Sequence, residues 1–279
     1  MNESEKKIDA KLIFSIIAAG IMSFSGVVVE TAMNVTFPTL MEEFGIGTST
    51  VQWITTGYLL ILAMIIPASS YLKKRFTLKK LFVTAICLFL IGTIMAAVTP
   101  VFSLLLLGRL IQGVGTGIAL PLMFNIVLEQ VPAKKLGLMM GIASLITAMA
   151  PAVGPSVGGM LVSNFGWRMI FLSLIPLLLL SFFLGVFSIC QVTQTEKISF
   201  QWLDYIFLAA GFACFIFATS TASGAGWISV QVLGLLAASV ICIALFCLKC
   251  KKSETPLIDI RVFCCVPFSL SVLVLVFIQ

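Results

Sequence analysis

The chain of 279 residues contains no histidine and only 11 Asp and Glu residues. Without imidazole, a histidine-based triad or zinc site cannot be assembled, and carboxylates are the side chains left to carry protons near a working pH. Charged residues make up 10% of the chain, against about a quarter in soluble domains. So few charges cannot clothe a water-facing surface. The eight cysteines are dispersed through apolar runs and basic loops. Cys247-Leu-Lys-Cys250 has redox-motif spacing, but no βαβ pattern surrounds it, so the thiols are read as free. No nucleophile–base set and no paired carboxylates occur in the apolar runs. An enzyme is therefore not expected, nor is a cofactor or metal.

What the chain has in abundance is apolar length: 60% of its residues are hydrophobic and its mean hydropathy is +1.17. Eight runs approach or exceed the roughly 20 residues that a membrane span needs. They cover 12–37, 51–71, 81–98, 101–128, 136–162, 169–189, 203–222 and 230–248. A ninth opens at Pro267 and is too short by Gln279 to cross. The predicted class is an all-α polytopic membrane protein.

Every second loop is basic. Lys6, Lys7 and Lys11 precede span 1, Lys73, Lys74, Arg75, Lys79 and Lys80 join spans 2 and 3, and Lys134 and Lys135 join spans 4 and 5. Lys197 follows span 6, and Lys249, Lys251, Lys252 and Arg261 follow span 8. Only Arg168 lies in a loop of the other side, and Arg109 lies within a span. The net charge of +6 is thus an orientation signal that puts the N-terminus in the cytoplasm, and no nucleic-acid partner is expected. The expected division is a cytoplasmic tail (1–11), a six-helix bundle (12–189), a cytoplasmic linker (190–202), a two-helix insertion (203–248), a cytoplasmic loop (249–266) and an incomplete ninth span (267–279). An offset of 89 places Leu72, Phe76, Lys79, Leu81 and Phe82 on Leu161, Phe165, Arg168, Ile170 and Phe171. Three spans reverse the topology, so this offset suits an inverted three-helix repeat.

Polar residues inside spans are costly, about 2.5–3.5 kcal/mol for a charge near mid-bilayer, so each one is a candidate for function. Glu30 precedes Pro38 by about 12 Å of helix and is expected to face an aqueous cavity. Arg109 lies nine residues after Pro100, at similar depth, and Gln112 shares its face one turn on. Glu30 and Arg109, of opposite sign at matching depth, are expected to pair, either as a proton-coupling pair or as a structural ion pair without proton chemistry, with Asn34, Gln112 and Asp204 as the cavity-lining candidates. Asp204 is expected near the inner interface, where a solvated carboxylate is cheap.

The segment Gly141–Gly159 is crowded with helix-weakening residues. Ala150, Gly154 and Gly158 form one stripe at i, i+4 spacing, and Ala143, Thr147, Pro151, Pro155 and Gly159 form its neighbour. Both are flat faces of the kind across which helices associate in lipid.

Three stretches resemble the major facilitator superfamily. Gly141, Ala150, Gly154-Pro155 and Gly158-Gly159 resemble its antiporter motif of span 5, with Ala150 where glycine is usual. The run around Arg109, R-L-I-Q-G-V-G-T-G, is similar to its R-x-x-x-G-x-G signature. Leu72, Arg75 and Lys79 match its cytoplasmic gate loop, although Ser70, Lys74 and Thr77 depart from it. F-Q-W-L-D-Y-I at the start of span 7 and P-L-I-D-I-R-V-F at 256–263 resemble the fourteen-span drug:proton antiporters. Glu30 stands four residues before Asn34, where that family spaces the two by five.

The resemblance implies proton-coupled efflux of amphipathic, often cationic compounds across a bacterial cytoplasmic membrane, by the N-terminal portion of such a transporter. Its partners would be a small amphipathic substrate, protons and the lipid bilayer. It also implies that the Ala150–Gly154–Gly158 face seals against a helix of a second bundle. That face is expected to stand open to lipid here or to recruit another copy, and the chain is expected to be inactive alone because the second bundle is missing. The alternatives are a truncated, non-transporting membrane protein and half of another facilitator that takes up or exports metabolites.

Overall fold

The computed structural model describes residues 9–191, 195–196, 200–252 and 258–278. Lys6, Lys7, Lys197 and the first two residues of the 256–263 motif lie outside them. Among the described residues the only regular structure is helical, as hydrocarbon requires of backbone that must satisfy its own polar groups. Among the described residues eight helices are long and apolar enough to cross a membrane, the number expected from the sequence.

The chain divides into two compact units, residues 1–197 and 198–279. The first unit holds α1 (Ala10–Val35), α2 (Phe37–Phe44), α3 (Thr48–Val51), α4 (Trp53–Arg75), α5 (Leu78–Val98), α6 (Phe102–Gln130), α7 (Ala133–Phe165) and α8 (Arg168–Ser188). The second holds α9 (Trp202–Ala225), α10 (Val230–Lys252), a 3₁₀ turn (Ile260–Cys264) and α11 (Val266–Ile278). There α9 and α10 pack as an antiparallel pair.

Span 1 ends sooner than its apolar run suggests. Pro38 lacks an N–H and its ring excludes the carbonyl of residue 34, so the helix cannot continue through it. α1 stops at Val35, the Thr36 hydroxyl donates back to the Met33 carbonyl at 2.7 Å, and Pro38 sits in the first turn of the separate α2. A left-handed glycine, Gly45 at φ +62°, closes α2. The prolines Pro67, Pro121, Pro151, Pro155 and Pro176 lie inside spans without ending them.

The pairing of the six spans in the first unit carries the repeat. α1 packs on α7 as α6 packs on α4, and α1 packs on α8 as α6 packs on α5. α1 also meets α6, and α5 meets α8. These pairings are preserved when spans 1, 2 and 3 are exchanged with 4, 5 and 6, the symmetry of an inverted three-helix repeat. α1 and α6 lie at the centre and bury most of their length, whereas α7 buries little.

Candidate functional site

The centre of the bundle holds a polar cluster sealed within apolar spans. Arg109 on α6 is fully buried, as are Tyr58 on α4 and Gln112 and Thr116 on α6. Helical spacing alone stacks Arg109 on Gln112: Arg109 Nη1 donates to Gln112 Oε1 at 2.9 Å. Gln112 Nε2 donates to Thr93 Oγ1 of α5 at 2.8 Å, and Thr93 donates to the Phe89 carbonyl at 2.7 Å. The guanidinium lies over the Tyr58 ring, 4.2 Å from its centroid, an attractive cation–π arrangement in low dielectric. The Tyr58 hydroxyl lies 2.8 Å from Thr116 Oγ1 and 3.0 Å from the Gly26 carbonyl of α1, with one proton for the two acceptors.

This lattice ties four spans together but leaves Arg109 under-served. Its Nε and Nη2 are buried without a hydrogen-bond partner among the described residues. Buried charge without a contacting counter-ion is expensive, so the geometry leaves two donors for an anionic or carbonyl group. Close helix approach makes room for the lattice: a Cβ on Gly92 would meet the Gly108 carbonyl at 2.5 Å and Gln112 Cγ at 2.7 Å.

Glu30 is half-buried on α1 and within electrostatic range of Arg109. The two form no ion pair, as no carboxylate oxygen of Glu30 comes within 4.0 Å of the guanidinium. Glu30 stands five residues from the end of α1 and Arg109 seven from the start of α6, about 7.5 and 10.5 Å of helix. Asn34 is exposed, and its Oδ1 accepts from the Thr55 hydroxyl at 2.9 Å. Gln112 makes two side-chain hydrogen bonds and is 0% exposed.

The flat face of α7 is occupied, which corrects the expectation that it stands open. Ala150, Gly154 and Gly158 are buried, and α1 covers them. A Cβ on Gly154 would fall on the Thr31 hydroxyl, and one on Gly158 would meet Ala32 Cβ at 2.9 Å and Ala32 Cα at 3.0 Å. α1 presents small residues of its own here, so two flat faces meet within one bundle. Gly141 and Pro155 are exposed, and Gly159 is half-buried.

Asp204 is a second correction. It is 2% exposed on α9, with Oδ1 3.5 Å from Lys249 Nζ of α10, so it is a buried ion-pair member within the second unit and not a solvated carboxylate. In the gate loop, Leu72 is half-buried while Arg75 and Lys79 are exposed. Lys73, one residue before the position where an acid is usual, forms an ion pair with Glu129 of α6 at 2.8 Å and donates to Asn125 at 3.4 Å.

At the opposite end, Glu43 of α2 accepts from the Trp167 indole at 2.6 Å and pairs with Arg168 at 2.8 Å. Arg168 also donates to the Thr99 carbonyl at 3.0 Å and lies over the Trp167 ring. Nothing in the sequence motifs singles out Tyr58, Thr93, Thr116 or Glu43. Hydroxyl residues on the inward face of apolar runs were the one signal available for the first three.

Residues 16–248 match the family model of the Major Facilitator Superfamily. The chain is 39% identical over 265 residues to the lincomycin resistance protein LmrB of Listeria monocytogenes, covering 95% of this chain and 56% of that protein. It is 29% identical over 235 residues to a multidrug resistance protein B homolog of Mycobacterium tuberculosis, covering 84% of this chain and 44% of the relative. Among solved structures it is similar to the POT family transporter PepTSo, with a TM-score of 0.62 at 13% identity, covering 86% of this chain and 52% of that one. It is also similar to a D-xylose–proton symporter, with a TM-score of 0.53 at 17% identity, covering 84% and 66%. The chain spans about half the length of the curated relatives it matches. The matched family model, the drug-resistance relatives and the shared bundle agree with the repeat and its buried arginine: this chain belongs to the Major Facilitator Superfamily.

Proposed function

We propose that the chain forms the N-terminal half of a proton-coupled exporter of amphipathic, often cationic compounds, lying in a bacterial cytoplasmic membrane with its N-terminus inside. The observation that carries this reading is Arg109, buried in an apolar bundle with two unpartnered nitrogens and with Glu30 in electrostatic range. A carboxylate beside a fixed cation can alternate between a proton and a cationic ligand, because both compete for one negative site. Glu30 is the proton carrier in this reading. Arg109 offsets its charge, Gln112 and Tyr58 hold the guanidinium in place, and Asn34 lies toward the outer mouth. One charge crossing 100 mV is worth about 2.3 kcal/mol, enough for a roughly fifty-fold substrate gradient.

Relatives named for lincomycin and multidrug resistance support export as the direction. Alternating access also requires a second bundle against which this one rocks, so gradient-driven transport belongs to the two bundles together. The part tested in this chain is proton-linked binding. Purified chain in nanodiscs should bind a fluorescent lipophilic cation more weakly as the pH is lowered, and Glu30→Gln should bind it with no such pH dependence. Binding that keeps its pH dependence in Glu30→Gln overturns the assignment of the proton to Glu30.

A further inference from the structure

A second feature lies away from the polar cluster, where α4, α5 and α6 converge at the basic loop. A cavity of about 540 Å³ opens there, lined by Leu72, Phe76, Leu81, Val83, Thr84 and Ile118 together with the exposed Lys79 and Lys80. Its size falls within the roughly 300–1,000 Å³ of pockets that enclose drug-sized ligands. Its walls are hydrocarbon and its mouth is cationic, a combination that suits an anionic amphiphile and repels the cationic compounds proposed above. Lys79 and Lys80 are exposed and pair with no acid among the described residues, unlike Lys73, which Glu129 holds.

The backbone adds to the positive end. α5 starts at this mouth, so its helix dipole favours negative charge there. The amide of Leu78 donates to Gln191 at 2.7 Å and that of Lys80 to Thr77 at 3.3 Å. The Lys79 amide has no acceptor among the described residues. Lys79 and Lys80 lie about one helical turn, roughly 6 Å, from the wall residues Val83 and Thr84. A headgroup phosphate at the lysines would thus place an acyl chain directly against the apolar wall.

We propose that this groove seats an anionic glycerophospholipid of the inner leaflet. Its phosphate rests on Lys79, Lys80 and the first turn of α5, and one acyl chain lies in the slot beside Leu72, Phe76, Val83 and Ile118. The lipid fills a gap that the bundle's own side chains leave and bridges the inner ends of α4 and α5 to the middle of α6, the span that carries Arg109. The leaflet rests on the orientation proposed above, whereas the site itself does not.

The test is native mass spectrometry of the full 279-residue chain, delipidated in detergent and titrated with phosphatidylglycerol or phosphatidylcholine of the same acyl chains. This readout is independent of membrane orientation and of transport. Preferential retention of phosphatidylglycerol is expected, weakened about five-fold by Lys79→Ala or Lys80→Ala and roughly thirty-fold by both. Thr84→Trp, which fills the slot and leaves every charge in place, should also lower retention. Lys134→Ala with Lys135→Ala removes two basic-loop charges elsewhere and should change little. Equal loss in the Lys134/Lys135 variant, or full retention in Thr84→Trp, overturns the site in favour of general charge attraction. Glycerophosphoglycerol is the headgroup without chains, and its binding as tightly as the lipid would assign the mouth to a soluble phosphate compound and overturn the lipid.

Discussion

A single methyl group added at Gly158 would place its carbon 2.9 Å from Ala32 Cβ, 3.0 Å from Ala32 Cα and 3.1 Å from the Ala32 carbonyl oxygen. Carbon atoms rest at about 3.5–4.0 Å, so α1 and α7 must separate by roughly 0.6–1 Å. A gap of about that size forfeits a quarter to a half of the attraction of each contact along the seam. Overpacking of a close interface costs about 1–3 kcal/mol, and Gly158→Ala should fall in that range. At Gly154 the added carbon would land on the Thr31 hydroxyl, which now donates to the Val27 and Val28 carbonyls at 3.0 and 3.2 Å. Gly154→Ala therefore displaces that hydroxyl as well as the helix. The double variant should cost less than the sum, because the first substitution has already opened the seam for the second. Reversible unfolding of the purified chain in mixed micelles, followed by the fluorescence of buried Trp167, gives these values. Ala152→Leu, on the exposed side of α7, should stay within about 0.5 kcal/mol of the parent. An unchanged Gly158→Ala together with a destabilised Ala152→Leu would mean that α7 turns its other face to α1, and the packing argument would fail.

Glu43 is held below the usual carboxylate range, first by the hydrogen bond from the Trp167 indole, against partial burial, and then by the hydrogen bond and charge of Arg168. A depressed folded pKa stabilises fully above the unfolded value of about 4.3 and is lost as the pH falls through the lower folded value. The melting temperature should therefore fall on acidification below about pH 4.3, and Glu43→Gln should remove part of that slope; an identical slope counts against the contact. Arg109→Met should unfold at the same or higher denaturant than the parent, since it removes a buried charge that makes no ion pair among the described residues, while losing pH-linked cation binding; a loss of stability beyond about 2 kcal/mol would show that the guanidinium serves the fold. Lys73→Glu should destabilise the bundle by placing like charge on Glu129, and adding Glu129→Lys should restore it, with a coupling of about 0.5–3 kcal/mol in a double-mutant cycle. No coupling would make that ion pair incidental.

The features legible in the sequence are those that one helix determines for itself. Apolar length set the class and the eight spans, because hydrocarbon admits only helices that satisfy their own backbone. Three residues of helix place Gln112 under Arg109 in any context, and i, i+4 spacing makes the face of Ala150, Gly154 and Gly158 flat before any neighbour is known. Relations between helices were out of reach. Lipid tails are as apolar as a protein interior, so in a membrane span hydrophobicity does not distinguish the inward face from the outward one. For that reason the glycine face of α7 looks open in the sequence, whereas α1 fills it. The sequence position of Asp204 suggests a solvated carboxylate, whereas the α9–α10 pairing buries it beside Lys249. The rotation and depth of each span, set by how small residues let backbones approach, put Tyr58 of α4 over Arg109 of α6 and brought Glu43 to Trp167 across 124 residues of chain. Those depend on packing between helices, and only the tertiary structure decided them.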